Sequence, residues 1–311
     1  MNLGLVQFKV GCILIINTKK MKQIINKIIV MLVLCVVNTI NAQQDPAFTL
    51  YNYNMNIVNP AFAGIEDLTE VNLNFRSQWV NLEGSPETKS LIVSTPINDR
   101  IGLGLSIMND NIFVLNQTDI YADFSYRIPI SDHTNFYMGI KAGGTFIDVD
   151  LDRLGIMNDP VFMENVNQFN PNVGIGFLLK SQKYYVTASS PTLLKSKRYD
   201  KDGIVVTDAT DELHAYFGGG LFLNLSEQVI LKPSVMSRYV TGAPMSVDLT
   251  AVIDFSVLEL GVSHRLDESV SAIVLLKLAE WGHFGYAYES TTTDVKNYSR
   301  GSHEVLLKFR F

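Results

Sequence analysis

Five histidines, a Ser-His-Glu triplet and several closely spaced glycines are the residues of this chain whose types could do chemistry. Ser302, His303 and Glu304 are consecutive and supply the side-chain types of a hydrolytic triad. A triad needs its members to converge. Adjacent residues of an extended segment point to opposite faces, so Ser302 and His303 do not meet if that stretch is a strand. His133, His214, His264, His283 and His303 are scattered, with no paired spacing that would hold a zinc ion. Both cysteines, Cys12 and Cys35, lie before residue 43, which leaves the remainder without thiolate ligands or disulfides. Gly102 with Gly104 and Gly174 with Gly176 have the G-x-G spacing of phosphate loops, but no helical pattern follows either pair. Asp150, Asp152, Asp159 and Glu164 crowd one stretch without the spacing of a calcium loop. No catalytic residue, cofactor or metal site is expected, and the protein is not expected to be an enzyme.

The charged residues point to architecture instead. Arg76, Asp123, Arg127, Lys141 and Lys308 all fall within stretches of strict period two. In Val71-Asn72-Leu73-Asn74-Phe75-Arg76 the apolar and polar residues alternate, as in a strand with one greasy and one wet face. Ile120 to Ile128 and Glu304 to Phe311 behave alike. Fourteen such segments can be drawn: 69–79, 88–95, 101–109, 117–128, 134–148, 172–180, 183–189, 214–223, 229–239, 245–253, 256–264, 270–278, 283–290 and 303–311. An even count suits a bacterial single-chain barrel. Links after even-numbered segments are short, while several after odd-numbered ones are long, notably 149–171 and 190–213. Outer-membrane barrels sort short periplasmic turns from long extracellular loops in this way, and a soluble sandwich has no reason to.

Composition agrees. The 311 residues are 47% apolar and 18% charged, which excludes disorder. Residues 1–42 carry five lysines and no acid, leaving 20 basic against 31 acidic residues and a formal charge of −11 beyond them. That surface repels phosphate, so no nucleic-acid partner is expected. Residues 1–20 are read as an N-terminal extension. Met21 to Ala42 reads as a signal peptide, with Lys22 and Lys27 before the ten-residue apolar run Ile28 to Val37 and a small residue at the cleavage site. No later run approaches the roughly 20 apolar residues that a membrane helix needs. A basic side chain at the lipid midplane costs about 2–4 kcal/mol, so the charged faces must line a lumen. Trp79, Tyr126, Phe136, Phe284 and Phe311, near strand ends on the opposite face, suit interfacial girdles. Inward glycines at 102, 104, 139, 143, 174 and 176 ease curvature or leave room for something inside.

Particular residues carry a resemblance to a known family. Asp45-Pro46-Ala47-Phe48, Tyr51-Asn52-Tyr53 and Asn59-Pro60-Ala61-Phe62-Ala63-Gly64 precede Arg76-Ser77-Gln78-Trp79, Gly84 and Pro86. Near the end come Asn297-Tyr298-Ser299-Arg300-Gly301-Ser302-His303-Glu304 and a terminal phenylalanine. Together these resemble the PorP/SprF family of outer-membrane proteins, which accompany the type IX secretion and gliding machinery of Bacteroidetes. The resemblance spans residues 43–311. It implies a multi-pass β-barrel in a Gram-negative outer membrane, in contact with lipid. It also implies service in protein export, gliding or surface display, through binding of other secretion components or of a cargo protein's C-terminal domain.

Residues 43–68 precede the first strand and are rich in asparagine and aromatics. They fit either a periplasmic tail or a plug folded into the lumen. As a plug the segment is expected to pair its amides with the inward Asn72, Asn74, Arg76 and Gln78, with Asn59 among the lumen contacts. The barrel itself is assigned to residues 69–311. Two other roles fit such a barrel, a diffusion channel or small-solute transporter and, less well, an outer-membrane hydrolase.

Overall fold

Alternation of this kind satisfies the backbone only if each strand finds a partner on both sides, and in lipid that requires closure. A computed structural model describes residues 48–151, 166–194, 200–201, 204–205 and 213–311. The extension 1–20, the signal segment 21–42, Asp45, Pro46 and the acidic residues Asp152, Asp159 and Glu164 lie outside the described residues.

Fourteen antiparallel strands form one sheet. They are β1 (Glu70–Ser77), β2 (Glu87–Pro96), β3 (Ile101–Ile112), β4 (Leu115–Ser131), β5 (Thr134–Val149), β6 (Val166–Ser181) and β7 (Tyr184–Ser190). There follow β8 (His214–Leu221, continued by Leu223–Asn224), β9 (Ile230–Val240), β10 (Ser246–Asp254), β11 (Leu258–Arg265), β12 (Ser269–Ala279), β13 (Gly282–Thr291) and β14 (Ser302–Arg310). Each strand pairs with its sequence neighbours, and β1 pairs with β14 to close the ring. The closing register sets Arg76 opposite Glu304 and Asn72 opposite Lys308. A small ladder, Asp200–Lys201 with Ile204–Val205, stands apart within the β7–β8 connection.

Burial is inverted relative to a soluble protein. Along β1 the polar Asn72, Asn74 and Arg76 are buried, whereas Leu73 and Phe75 are each 42% exposed. The same holds around the ring, with Ile140, Phe146, Phe217 and Val262 open on the outside and Asp123, Lys141, Thr187 and Glu259 closed within. Apolar surface left facing outward on every strand is stable only against lipid.

The two rims differ. Connections 97–100, 132–133, 182–183, 225–229, 255–257 and 280–281 are two to five residues long, and both barrel ends, Glu70 and Arg310, lie on that rim. The opposite rim carries 78–86, 150–165, 191–213 and 292–301, but also the short links 113–114, 241–245 and 266–268. The short-turn rim is therefore periplasmic and the other extracellular. Some expected boundaries need correction: β6 begins at Val166 rather than at 172, which shortens the link expected over 149–171. Strand β1 ends at Ser77, so Gln78 and Trp79 lie in the following loop, with Trp79 in the left-handed region at φ 50°. The stretch 110–116, left between two expected strands, continues the β3–β4 ladder down to Ile112 against Leu115.

Candidate functional site in the lumen

Residues 48–64 lie inside the ring. Rich in asparagine and interrupted by Pro60, the segment folds not as an α-helix but as three 3-10 turns, Tyr51–Tyr53, Met55–Ile57 and Pro60–Phe62. The third is set by its sequence: Asn59 accepts from the Ala61 amide at 2.8 Å as N-cap, and Pro60 supplies the preset φ of the first helical position. Leu50, Asn59, Ala61 and Ala63 are wholly buried.

One side of the lumen grips this segment with charge. Arg76 on β1 reaches Glu289 on β13 at 3.0 Å and Glu304 on β14 at 3.2 Å, with all three side chains 7% exposed or less. Glu304 accepts the backbone amides of Thr49 (2.7 Å) and Leu50 (3.2 Å) as well as the Asn74 side chain (2.8 Å). The Thr49 hydroxyl donates to Glu289 at 2.9 Å. Leu50 beside this cluster fills an apolar recess formed by Ile273, Leu275, Ala287 and Leu306. Further round, Tyr53 donates to Glu259 (2.8 Å), which Lys232 and Lys277 also neutralise.

The other side grips it by leaving side chains out. A methyl group on Gly102 would collide with the Ala63 carbonyl, one on Gly139 with the Pro60–Ala61 peptide, and one on Gly176 with the Asn59 side chain. These glycines, on β3, β5 and β6, let the Asn-Pro-Ala-Phe-Ala-Gly backbone lie directly on the wall. Polar groups then close the contact. Asn59 donates to Thr187 (2.6 Å) and to the Phe177 carbonyl (3.0 Å), and Ser189 donates to the Val58 carbonyl (2.7 Å). Ser125 donates to the Ala63 carbonyl, and Ser94 accepts from Gly64 at 2.7 Å. Lys141 spans Asp123 (2.8 Å) and the Asn56 carbonyl (3.1 Å). Gly143 and Gly174 serve other contacts, with the β4 backbone and with Pro191.

Within the segment, the Asn59 amide does not meet Asn72, Asn74, Arg76 or Gln78. It sits against β6 and β7, where Gly176 leaves room for it. Asn72, Asn74 and Arg76 do face inward, but Arg76 meets Thr49 instead (3.2 Å). Gln78 bonds through its backbone to Pro86 at 2.9 Å. Glu289, Thr49, Ser125, Thr187 and Ser189 were not singled out from sequence. Glu289 alone carried a signal, as a carboxylate on the inward phase of β13.

The segment divides the lumen. On its extracellular side is a cavity of about 130 Å³ floored by Phe48, Tyr51, Ile57 and Val58. On its periplasmic side is one of about 370 Å³ lined by Asn52, Tyr53, Asn56 and paired charges. Glu66, where the chain leaves the lumen, bonds Lys180 at 2.9 Å and Arg310 at 3.4 Å. Burial disfavours its charge, but the ammonium of Lys180, with Lys308 and Arg310 beyond, outweighs this and holds the carboxyl below its ordinary value.

Closure of β1 on β14 brings the remaining motif residues together at the extracellular rim. The Val80 amide donates to the carbonyl of Gly301, which sits at φ 91°, the Arg300 amide donates to the Val80 carbonyl, and Trp79 donates its amide to Ser302 at 3.2 Å. Gly84 turns the same loop at φ 74° and packs on Phe113. Ser302 and Glu304 point inward, whereas His303 points outward and shares a 2.7 Å hydrogen bond with Tyr286. The three residues do not converge. Among the described residues no cluster has the makings of a metal site.

Several solved structures are similar to this chain. A monoaromatic hydrocarbon channel, CymD, matches with a TM-score of 0.51 at 12% identity, covering 86% of this chain and 95% of that one. The outer membrane protein Omp33 of Acinetobacter baumannii matches with a TM-score of 0.47 at 10% identity, over 80% and 100% of the respective chains. A FadL homologue of Pseudomonas aeruginosa gives 0.45 at 13%, over 81% and 91%. No curated protein showed significant sequence similarity. The family model described as "Type IX secretion system membrane protein PorP/SprF" matches residues 40–309. With a closed outer-membrane barrel and a family match over nearly its whole length, this chain belongs to the PorP/SprF family of type IX secretion system membrane proteins.

Proposed function

We propose that the protein works in type IX secretion as a closed docking barrel, binding other secretion components and the C-terminal domain of a secreted cargo rather than conducting solute or polypeptide through its own lumen. The observation that carries this reading is the seat of residues 48–64, which fills the middle of the lumen and contacts the wall on opposite sides. The exported chain starts at Gln43 after removal of the signal peptide 21–42, and residues 43–68 act as its plug. The extracellular loops 78–86, 150–165, 191–213 and 292–301 offer the surface for cargo, and the short-turn rim meets the periplasmic machinery.

Planar-bilayer recordings test this reading. The wild-type barrel should pass little current, a variant lacking residues 48–64 should conduct, and a deletion strain should lose secretion or surface display of a cargo without a change in small-solute uptake. Open-pore conductance from the wild-type protein, with secretion intact in the deletion strain, would favour the diffusion-channel reading instead.

A further inference from the structure

The outward face of the barrel carries almost no charge. Among the described residues of the fourteen strands, Lys89 is the one lysine or arginine whose side chain points out of the ring; Arg76, Arg127, Lys141, Lys180, Lys232 and the rest point in. It is the third residue of β2 from the extracellular rim, about 7 Å along the strand at the usual rise, which places it at the edge of the hydrocarbon. A cation at that depth is tolerated, but it contributes nothing to a barrel that needs only apolar surface there.

Lys89 also stands at the head of a groove. The register sets it between Phe75 on β1 and Asn109 on β3, with its ammonium 5.9 Å from the centre of the Phe75 ring. From there toward the membrane centre, a trough of about 350 Å³ runs over Leu73, Leu91, Ile107, Val305 and Leu307. A single cation above an apolar trough, on a wall that faces lipid, is complementary to one kind of molecule: an anionic headgroup followed by an acyl chain.

We propose that this groove is a binding site for a phosphate-bearing glycolipid of the outer leaflet, lipid A in chemical class, with its phosphate on Lys89 and an acyl chain along Leu91 and Leu307. Glu87, outward and one row nearer the rim, is placed to accept from the sugar hydroxyls. The site is separate from the lumen and does not depend on the docking role.

The test uses the full mature barrel, delipidated in mild detergent, with native mass spectrometry against bisphosphoryl lipid A, its dephosphorylated form and phosphatidylethanolamine. Bisphosphoryl lipid A should bind wild-type protein most tightly. Lys89→Gln should weaken that binding about fivefold, the weight of one basic residue near an anionic surface. The dephosphorylated lipid should bind both proteins alike, and Lys183→Gln, in a periplasmic turn, should change nothing. Heat-dependent gel mobility confirms that each variant is a closed barrel. Equal binding of bisphosphoryl lipid A to wild type and Lys89→Gln, or equal binding of both lipid A forms to wild type, would overturn the proposal, for then Lys89 only reaches interfacial water.

Discussion

The same seventeen residues are held by opposite means on the two sides of the barrel. Toward β13, β14 and β1 the wall presents Glu289, Glu304 and Arg76, and the segment answers with backbone amides and a threonine hydroxyl. Toward β3, β5 and β6 the wall presents bare glycine, and the segment answers with backbone pressed flat against it. The first grip depends on charge balance and is blind to a methyl group. The second depends on volume and contains few charges. A substitution chosen for one side should therefore leave the other seated, which makes the two separable by experiment.

The charged side should fail most severely. Glu304→Ala leaves the Arg76 guanidinium and the amides of Thr49 and Leu50 without their common acceptor in a site that excludes water. Breaking a buried pair from one end costs about 3–5 kcal/mol, to be read as a fall in the temperature at which the barrel loses its heat-dependent gel mobility. Removing the whole cluster with Arg76→Met, Glu289→Gln and Glu304→Leu should recover part of the loss. If the triple variant is worse than the single one, the cluster stabilises by more than mutual neutralisation.

The socket side should respond to a single carbon. Gly139→Ala drives a methyl into the Pro60–Ala61 peptide, at an overpacking cost of about 1–3 kcal/mol, whereas Gly282→Ala meets nothing within 4 Å and serves as control. In bilayer recordings Gly139→Ala should raise conductance while the barrel stays closed in the membrane. Equal behaviour of the two alanine variants would mean that the segment rests on the wall more loosely than the contacts imply.

Most of the barrel was legible in the sequence because lipid enforces alternation, and alternation is what a reader can count. Where the alternation breaks, the signal ends with it. At the tip of the β3–β4 hairpin the unbroken apolar run Ile112-Phe113-Val114-Leu115 interrupts period two, and so residues 110–116 read as a loop although the ladder continues. The inward phase of Arg76 and Glu304 could be read from periodicity, but their partnership joins residues 228 apart in sequence through ring closure, which no local pattern encodes. The glycines at 102, 139 and 176 pointed to something seated inside. What they could not give was orientation: Asn59 follows the space at Gly176, while the amide-rich face of β1, the more obvious partner by residue type, is taken by Thr49 and Leu50.

Glu66 offers the mildest way to sharpen the comparison, because it bonds both sides at once, Lys180 on β6 and Arg310 on β14. It lies outside the strands, at the periplasmic mouth, and its carboxyl is held below the ordinary value of 4.5: burial opposes the charge, and Lys180, Lys308 and Arg310 together more than offset it. A depressed acid contributes stability that is complete above its unfolded value and is lost as pH falls through the folded one. The Glu66 side chain is 39% exposed, so solvent screening keeps the contribution under about 1 kcal/mol. Wild type should therefore melt slightly above Glu66→Gln at pH 7, and the gap should close as the buffer is taken well under 4.5. A gap that stays constant across the titration would show that Glu66 acts by packing at the mouth, and that the two grips meet only through the segment itself.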